Sequence, residues 1–151
     1  SHDEHAAEVH LYMDDGQTFA YRDDQAFLAR KFTLTRDGPG HLRLASTSLT
    51  GRDIHTSASS TALQVPGNAY EQETSSVRVE RIIVYGLPEV HRIIARDAHG
   101  HETSLAFTYT SGTSRSPTAS DASARLASRL EIRDPRVLIG QDWSILMEIA
   151  P

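Results

Sequence analysis

A chain of 151 residues fits one domain, since domains of about 100–150 residues are the commonest, and it can bury a core without covalent staples. It has no cysteine, which excludes disulfides and thiolate zinc sites. Its net charge of −5 and pI near 5.9 argue against nucleic acid or an anionic membrane as the main partner. No apolar run approaches the ~20 residues of a membrane span, the opening SHDEHAAEVH does not read as a signal peptide, and Asn68 is followed by Ala69 and Tyr70, so it is not a glycosylation site.

The first strand-like run, residues 9–13, leads through Asp14, Asp15 and Gly16 to a second at 18–22. Asp-Gly between two such runs predicts a tight hairpin, because both residues tolerate positive φ. A glycosidase pair needs two carboxylates about 5–9.5 Å apart on opposite sides of a sugar, which adjacent residues rarely achieve. Asp14, Asp15 and Gly16 are therefore expected to be structural.

Further strands are expected at 27–35, 41–49, 77–85, 91–96, 103–109, 128–133 and 143–149. In FLARKFTLT, residues Leu28, Phe32 and Leu34 share the better core face, with Arg30 its awkward member. In HLRLAST, Leu42 and Leu44 alternate with Arg43. VERIIVYG ends as a continuous apolar run, which suits a strand covered on both faces. No segment shows a sustained helical stripe; SDASARLASRL offers at most a turn or two. Many short strands with turns between them predict an all-β antiparallel sandwich in a single domain. Two Ser/Thr-rich stretches, 50–76 and 110–127, read as long loops, of the length that usually serves mobility or partner contact.

The remaining candidate chemistry is sparse. His2, His5 and His10 with Asp3 or Glu4 lack a frame that would fix metal-ligand geometry, and His99 and His101 flank Gly100 at an expected turn. There is no G-x-S-x-G elbow, phosphate loop or dinucleotide fingerprint. Trp143, in the closing strand, reads as core, with a sugar platform as the alternative. No catalytic, cofactor-binding or metal residues are assigned, and no cofactor is expected.

The order of the pieces carries more than any one of them. LYMDDGQTFAY, FLARKFTLT, VERIIVYG and SRLEIRDPRVLIGQDWSI follow one another as in the distal C-terminal domain of glycoside hydrolase family 31, which the chain resembles over most of its length. Asp14, Asp15, Gly16, Thr18, Phe19, Tyr21, Arg30, Lys31 and Phe32 occupy the positions of the family pattern, and Asp142–Ile145 close it. The loop at 110–127 is longer than the family leads one to expect.

That resemblance implies a supporting domain of a retaining α-glucosidase that trims α-1,3-linked glucose from N-glycans in the endoplasmic reticulum lumen. It places the catalytic aspartates on an upstream (β/α)8 barrel fragment, the expected main partner, with a regulatory β subunit as a possible second. It also implies an upstream first strand that would complete the sandwich, so that this chain is a C-terminal piece of a longer polypeptide. Asp14, Asp15, Gly16, Tyr21, Phe32 and Trp143 are its structural residues. A free-standing carbohydrate-binding sandwich, with Trp143 or tyrosines stacking on sugar, is the competing reading.

Overall fold

The computed structural model describes residues 5–23, 26–49, 73–112 and 127–150. The expected loops at 50–76 and 110–127 fall largely outside those residues, as do His2, Asp3 and Glu4. The fold is an all-β antiparallel sandwich, as the alternation of apolar residues predicts. Its elements are β1 (His5–Met13), a one-turn helix α1 (Ala20–Asp23), β2 (Leu28–Arg36), β3 (His41–Ser48), β4 (Arg81–Tyr85), β5 (Val90–Arg96), β6 (Glu102–Ser104), β7 (Phe107–Thr110), β8 (Arg129–Arg133) and β9 (Trp143–Ile149).

Six strands form one sheet in the order β1-β2-β3-β9-β5-β6, and three form the other in the order β4-β8-β7. The last strand of the chain thus sits near the middle of the larger sheet, between β3 and β5. Its alternation is the clearest in the molecule. Trp143, Ile145, Met147 and Ile149 are buried and the residues between them are half-buried. Leu130 and Ile132 of β8, both fully buried, belong to the same core, together with Ile93, Ala95, Leu34 and Leu42. Each buried Leu, Ile or Met side chain contributes about 1.5–3 kcal/mol on leaving water.

Four expectations are corrected. Residues 18–22 are not a strand, because Asp15 and Thr18 cap a helical turn there, and β1 pairs instead with β2, Val9 opposite Phe32 and Met13 opposite Leu28. The run at 103–109 is two strands in different sheets. Leu105 is buried at the crossing and its N–H donates to the Ile93 carbonyl at 3.0 Å. The run at 77–85 is regular only from Arg81, with a single bridge between Arg78 and Leu138 ahead of it. Nor is β4 covered on both faces among the described residues. Ile82 and Val84 turn inward, while Ile83 is 38% and Tyr85 63% exposed, because the three-stranded sheet packs on one side only.

Candidate functional site

The chemistry in this chain concentrates where Arg30 meets the loop between β8 and β9. Arg30 belongs to the inward face of β2 with Leu28 and Leu34, which forces its guanidinium under the sheet surface, where 1% of it remains exposed. A charge so placed is tolerated only when its donors are satisfied. Nε and Nη2 donate to Ser46 Oγ on the neighbouring β3, at 3.2 and 2.9 Å. Nη1 donates to the Gly140 carbonyl at 3.4 Å, and Nη2 also donates to the Gln141 carbonyl at 2.6 Å and to Asp142 Oδ1 at 2.8 Å. Asp142 Oδ1 in turn accepts the Ser48 N–H at 3.1 Å. One side chain therefore fixes two strands and the final turn before β9.

Beside it, the rings of Phe32 and Trp143 lie 5.8 Å apart at an interplanar angle of 43°. Trp143 is 5% exposed and its Nε1–H donates to the Leu138 carbonyl at 3.1 Å, so the same loop is pinned from both ends. Asp134 and Arg136 hold φ of 46° and 58°, the left-handed region that non-glycine residues enter at a cost of about 1–3 kcal/mol.

The structure gathers the residues singled out from sequence into two places. Asp14, Asp15 and Gly16 form the turn after β1. Gly16 N–H donates to Asp14 Oδ1 at 2.8 Å, Gln17 and Thr18 N–H both donate to Asp15 Oδ1 at 3.1 Å, and the Thr18 hydroxyl donates to Asp15 Oδ2. That hydroxyl, ahead of the backbone N–H groups, holds the Asp15 carboxyl below the usual range. Gly16 has φ of 64°. Phe32 and Trp143 sit in the second place, at Arg30. Tyr21 lies in α1, and its side chain is outside the described residues.

Sequence reasoning named Arg30 and Asp142 only as positions of the family resemblance and missed that they meet, and Ser46, Gly140 and Gln141 carry no local signal of their own. The only hint was an arginine on an apolar face.

Among the described residues, two cavities flank this centre. An apolar cleft of about 490 Å³ opens between β4 and the β1–β3 end of the larger sheet, with Val9, Phe32, Leu44, Val84 and Trp143 among its walls. A smaller one, about 260 Å³, lies between the Asp97–His99 turn and the β8–β9 loop. In that turn Asp97 accepts the His101 and His99 N–H groups at 2.9 and 2.8 Å and faces His101 Nδ1 at 3.2 Å, which holds its carboxyl low. His10 pairs with Glu8 at 3.0 Å, and Glu8 with Lys31 at 2.8 Å. No cluster of three or more metal-ligating side chains occurs among the described residues.

No protein-family model matches the sequence, and no curated protein matches it. Solved structures do. The chain is similar to a glucosidase II alpha subunit with Tris bound (TM-score 0.60, 24% identity, 93% of this chain and 13% of that one). It is similar to such a subunit bound to Glc1Man2 (TM-score 0.58, 24% identity, the same coverage). A third match is a chain of an ER glucosidase II heterodimeric complex consisting of the catalytic subunit and the binding domain of the regulatory subunit (TM-score 0.58, 23% identity, 93% and 13%). The fold is thus that of one part of a glucosidase II alpha subunit, and the chain spans about 13% of the length of these relatives.

Proposed function

We propose that this chain is the distal C-terminal sandwich of a glycoside hydrolase family 31 α-glucosidase of the glucosidase II type, and that its role there is support rather than chemistry. The observation that carries the reading is the fold match over 93% of the chain to 13% of several glucosidase II alpha subunits. The motif order adds to it. Stretches quoted for the family from opposite ends of the chain, Arg30–Phe32 and Asp142–Trp143, meet in one buried knot.

On this reading the enzyme removes α-1,3-linked glucose from N-glycans in the endoplasmic reticulum lumen with retention. The nucleophile and acid/base aspartates stand on a (β/α)8 barrel in the remainder of the polypeptide. The carboxylates of this chain suit support better. Asp14 and Asp15 are adjacent in one turn, and Asp97 is held ionised, whereas a general acid needs a raised pKa. Exposed apolar side chains available for contact with the larger fragment include Val9 (60%) and Tyr85 (63%), which both border the apolar cleft. A regulatory subunit is the expected second partner. A free-standing module that stacks sugar on Trp143 is disfavoured, because that indole is buried and its N–H is engaged.

The test is isolation of the native protein through a tag on this chain, followed by assay on an α-1,3-linked glucose disaccharide. Co-isolation of a much larger polypeptide, with glucosidase activity that follows it through denaturation-sensitive separation, is the expected result. A chain that travels alone, monomeric and without activity, overturns the reading.

A further inference from the structure

The three-stranded sheet stops short of the larger one. Its edge strand β4 is hydrogen-bonded to β8 on one side and, among the described residues, to no strand on the other. The register shows which backbone groups are left over. Asp134 N–H donates to the Glu80 carbonyl at 2.8 Å and Gly86 N–H to the Ser128 carbonyl at 2.9 Å, so the alternate residues between them, Ile82 and Val84, are the ones that bond β8. The N–H and C=O groups of Arg81, Ile83 and Tyr85 therefore point to the open edge.

Beside that edge the inner face of β1–β3 lies bare. The register sets Val9 beside Phe32, and Ala7 beside Leu34 and Leu44, on the side that faces the core. Burial fades toward β1: Leu34 is buried, Phe32 and Leu44 are half-buried, and Ala7 and Val9 are exposed. The 490 Å³ cleft is this uncovered strip, and all five residues of β4 border it, as a strand seen edge-on does. On the outer face, the guanidiniums of Arg81, Arg129 and Arg133 share the one carboxylate of Glu131, at 3.3, 2.6 and 2.8 Å. That face carries surplus positive charge on a chain whose net charge is −5.

Unpaired edge groups beside bare apolar surface are what strand addition uses. The geometry favours a lone strand. Neighbouring strands lie ~4.8 Å apart, so the strip over β1 and β2 has room for about one or two. A second copy pairing through its own β4 would bring both β1–β3 wings to the same face of one continuous sheet, into the same volume. An extended segment carries no such wing. Its inward side chains must be apolar to fill the cleft, and an acidic one among those facing outward answers the surplus charge of the arginines.

We infer that one extended segment of the larger catalytic fragment adds to β4 as a fourth strand, bonded to the backbone of Arg81, Ile83 and Tyr85, with alternate apolar side chains in the cleft and an acidic one beside Arg81. This contact rests on the association proposed above and gives it a location.

Hydrogen exchange on the native assembly, isolated through a tag on this chain and read residue by residue, tests the contact without a variant. The amides of Arg81, Ile83 and Tyr85 should be protected together with those of Ile82 and Val84, which β8 already holds. A benzophenone amino acid in place of Tyr85 should crosslink to the larger polypeptide. Ile83→Pro removes only an N–H that faces the open edge, and should raise the dissociation constant of the assembly about ten-fold, the scale of one hydrogen bond. Ile83→Ala keeps that N–H and should bind as the parent does. Rapid exchange at Arg81, Ile83 and Tyr85 beside protected Ile82 and Val84 overturns the contact. So does a crosslink confined to a second copy or to this chain itself, no crosslink at all, or equal binding by the proline variant. If the larger polypeptide still co-isolates, only this contact falls. If it does not co-isolate, the proposed function falls with it.

Discussion

Arg30 and Asp142 stand 112 residues apart in sequence and 2.8 Å apart in space, the arginine 1% and the aspartate 63% exposed. The pair spans the boundary between core and solvent. The charge of the aspartate stays hydrated while the guanidinium is surrounded by carbonyls and a hydroxyl. Coupling a buried donor to a wet acceptor avoids most of the cost of desolvating both ions. It also ties the register of β2 and β3 to the start of β9, the strand that holds the larger sheet together.

Arg30→Met is therefore expected to destabilise the domain by about 3 kcal/mol, the lower end of the cost of breaking a buried pair, because Asp142 can return to water. For a chain of this length that is a fall in melting temperature of about 6–12 °C. Calorimetry checks it. In a double-mutant cycle with Asp142→Asn, the two changes should be less than additive, since both remove the same contact.

Trp143 fills the core beside Phe32 and closes the loop through its N–H. Trp143→Phe keeps most of the apolar burial and deletes the hydrogen bond, leaving the Leu138 carbonyl without this donor. The expected cost is about 1–2 kcal/mol. Trp143→Ala adds a cavity and should cost about 3–5 kcal/mol, measured by urea denaturation.

Gly16 tests the turn after β1. At φ 64° with no atom within 4 Å of an added Cβ, the constraint is conformational and not steric crowding by neighbours. Gly16→Val should destabilise by about 1–2 kcal/mol, whereas Gly16→Asn, which enters the left-handed region readily, should cost less. Equal thermal midpoints for the two variants would show that the turn does not hold this geometry in solution.

The pH dependence of stability has a defined sign. Glu131, 6% exposed on β8, is held below the usual carboxylate range, first by the Arg133 guanidinium and then by Arg129. Asp15 is held low by Thr18. A carboxyl whose folded pKa lies below its unfolded value of about 4 binds its proton more readily when unfolded. Its stabilisation is fully present above that value and is lost as pH falls through the folded pKa. Urea midpoints should stay flat from neutral pH to about pH 5 and then drop toward pH 2. Glu131→Gln should be less stable than the parent at pH 7 and show a shallower acid drop.

Strands whose burial is set within one sheet were readable from alternation alone, and β9 begins at Trp143 and ends at Ile149, as its pattern predicts. Places where the chain changes layer were not. The run through 103–109 is continuous in composition, yet it leaves one sheet at Ser104 and enters the other at Phe107, because Leu105 is drawn into the core between them. The Asp14–Gly16 turn was visible as a turn, but its destination was not. A carboxylate can close a tight hairpin or collect the N–H groups that start a helix, and at Asp15 the Thr18 hydroxyl, two residues before Ala20, decides for the second. Arg30 is legible in the sequence as a misfit on an apolar face and as a position of the family resemblance, but its partners at 46 and 140–142 are brought to it only by the fold.

We propose that this sandwich supports an α-glucosidase without taking part in its chemistry. The most direct measurement is the thermal inactivation half-life of the native assembly, beside kcat and KM on an α-1,3-linked glucose disaccharide, for the parent and for Arg30→Met. The account predicts a half-life shortened several-fold at elevated temperature, with kcat and KM at 25 °C unchanged. An altered KM or kcat at full thermal stability would contradict it, and would place residues of this chain in the active site.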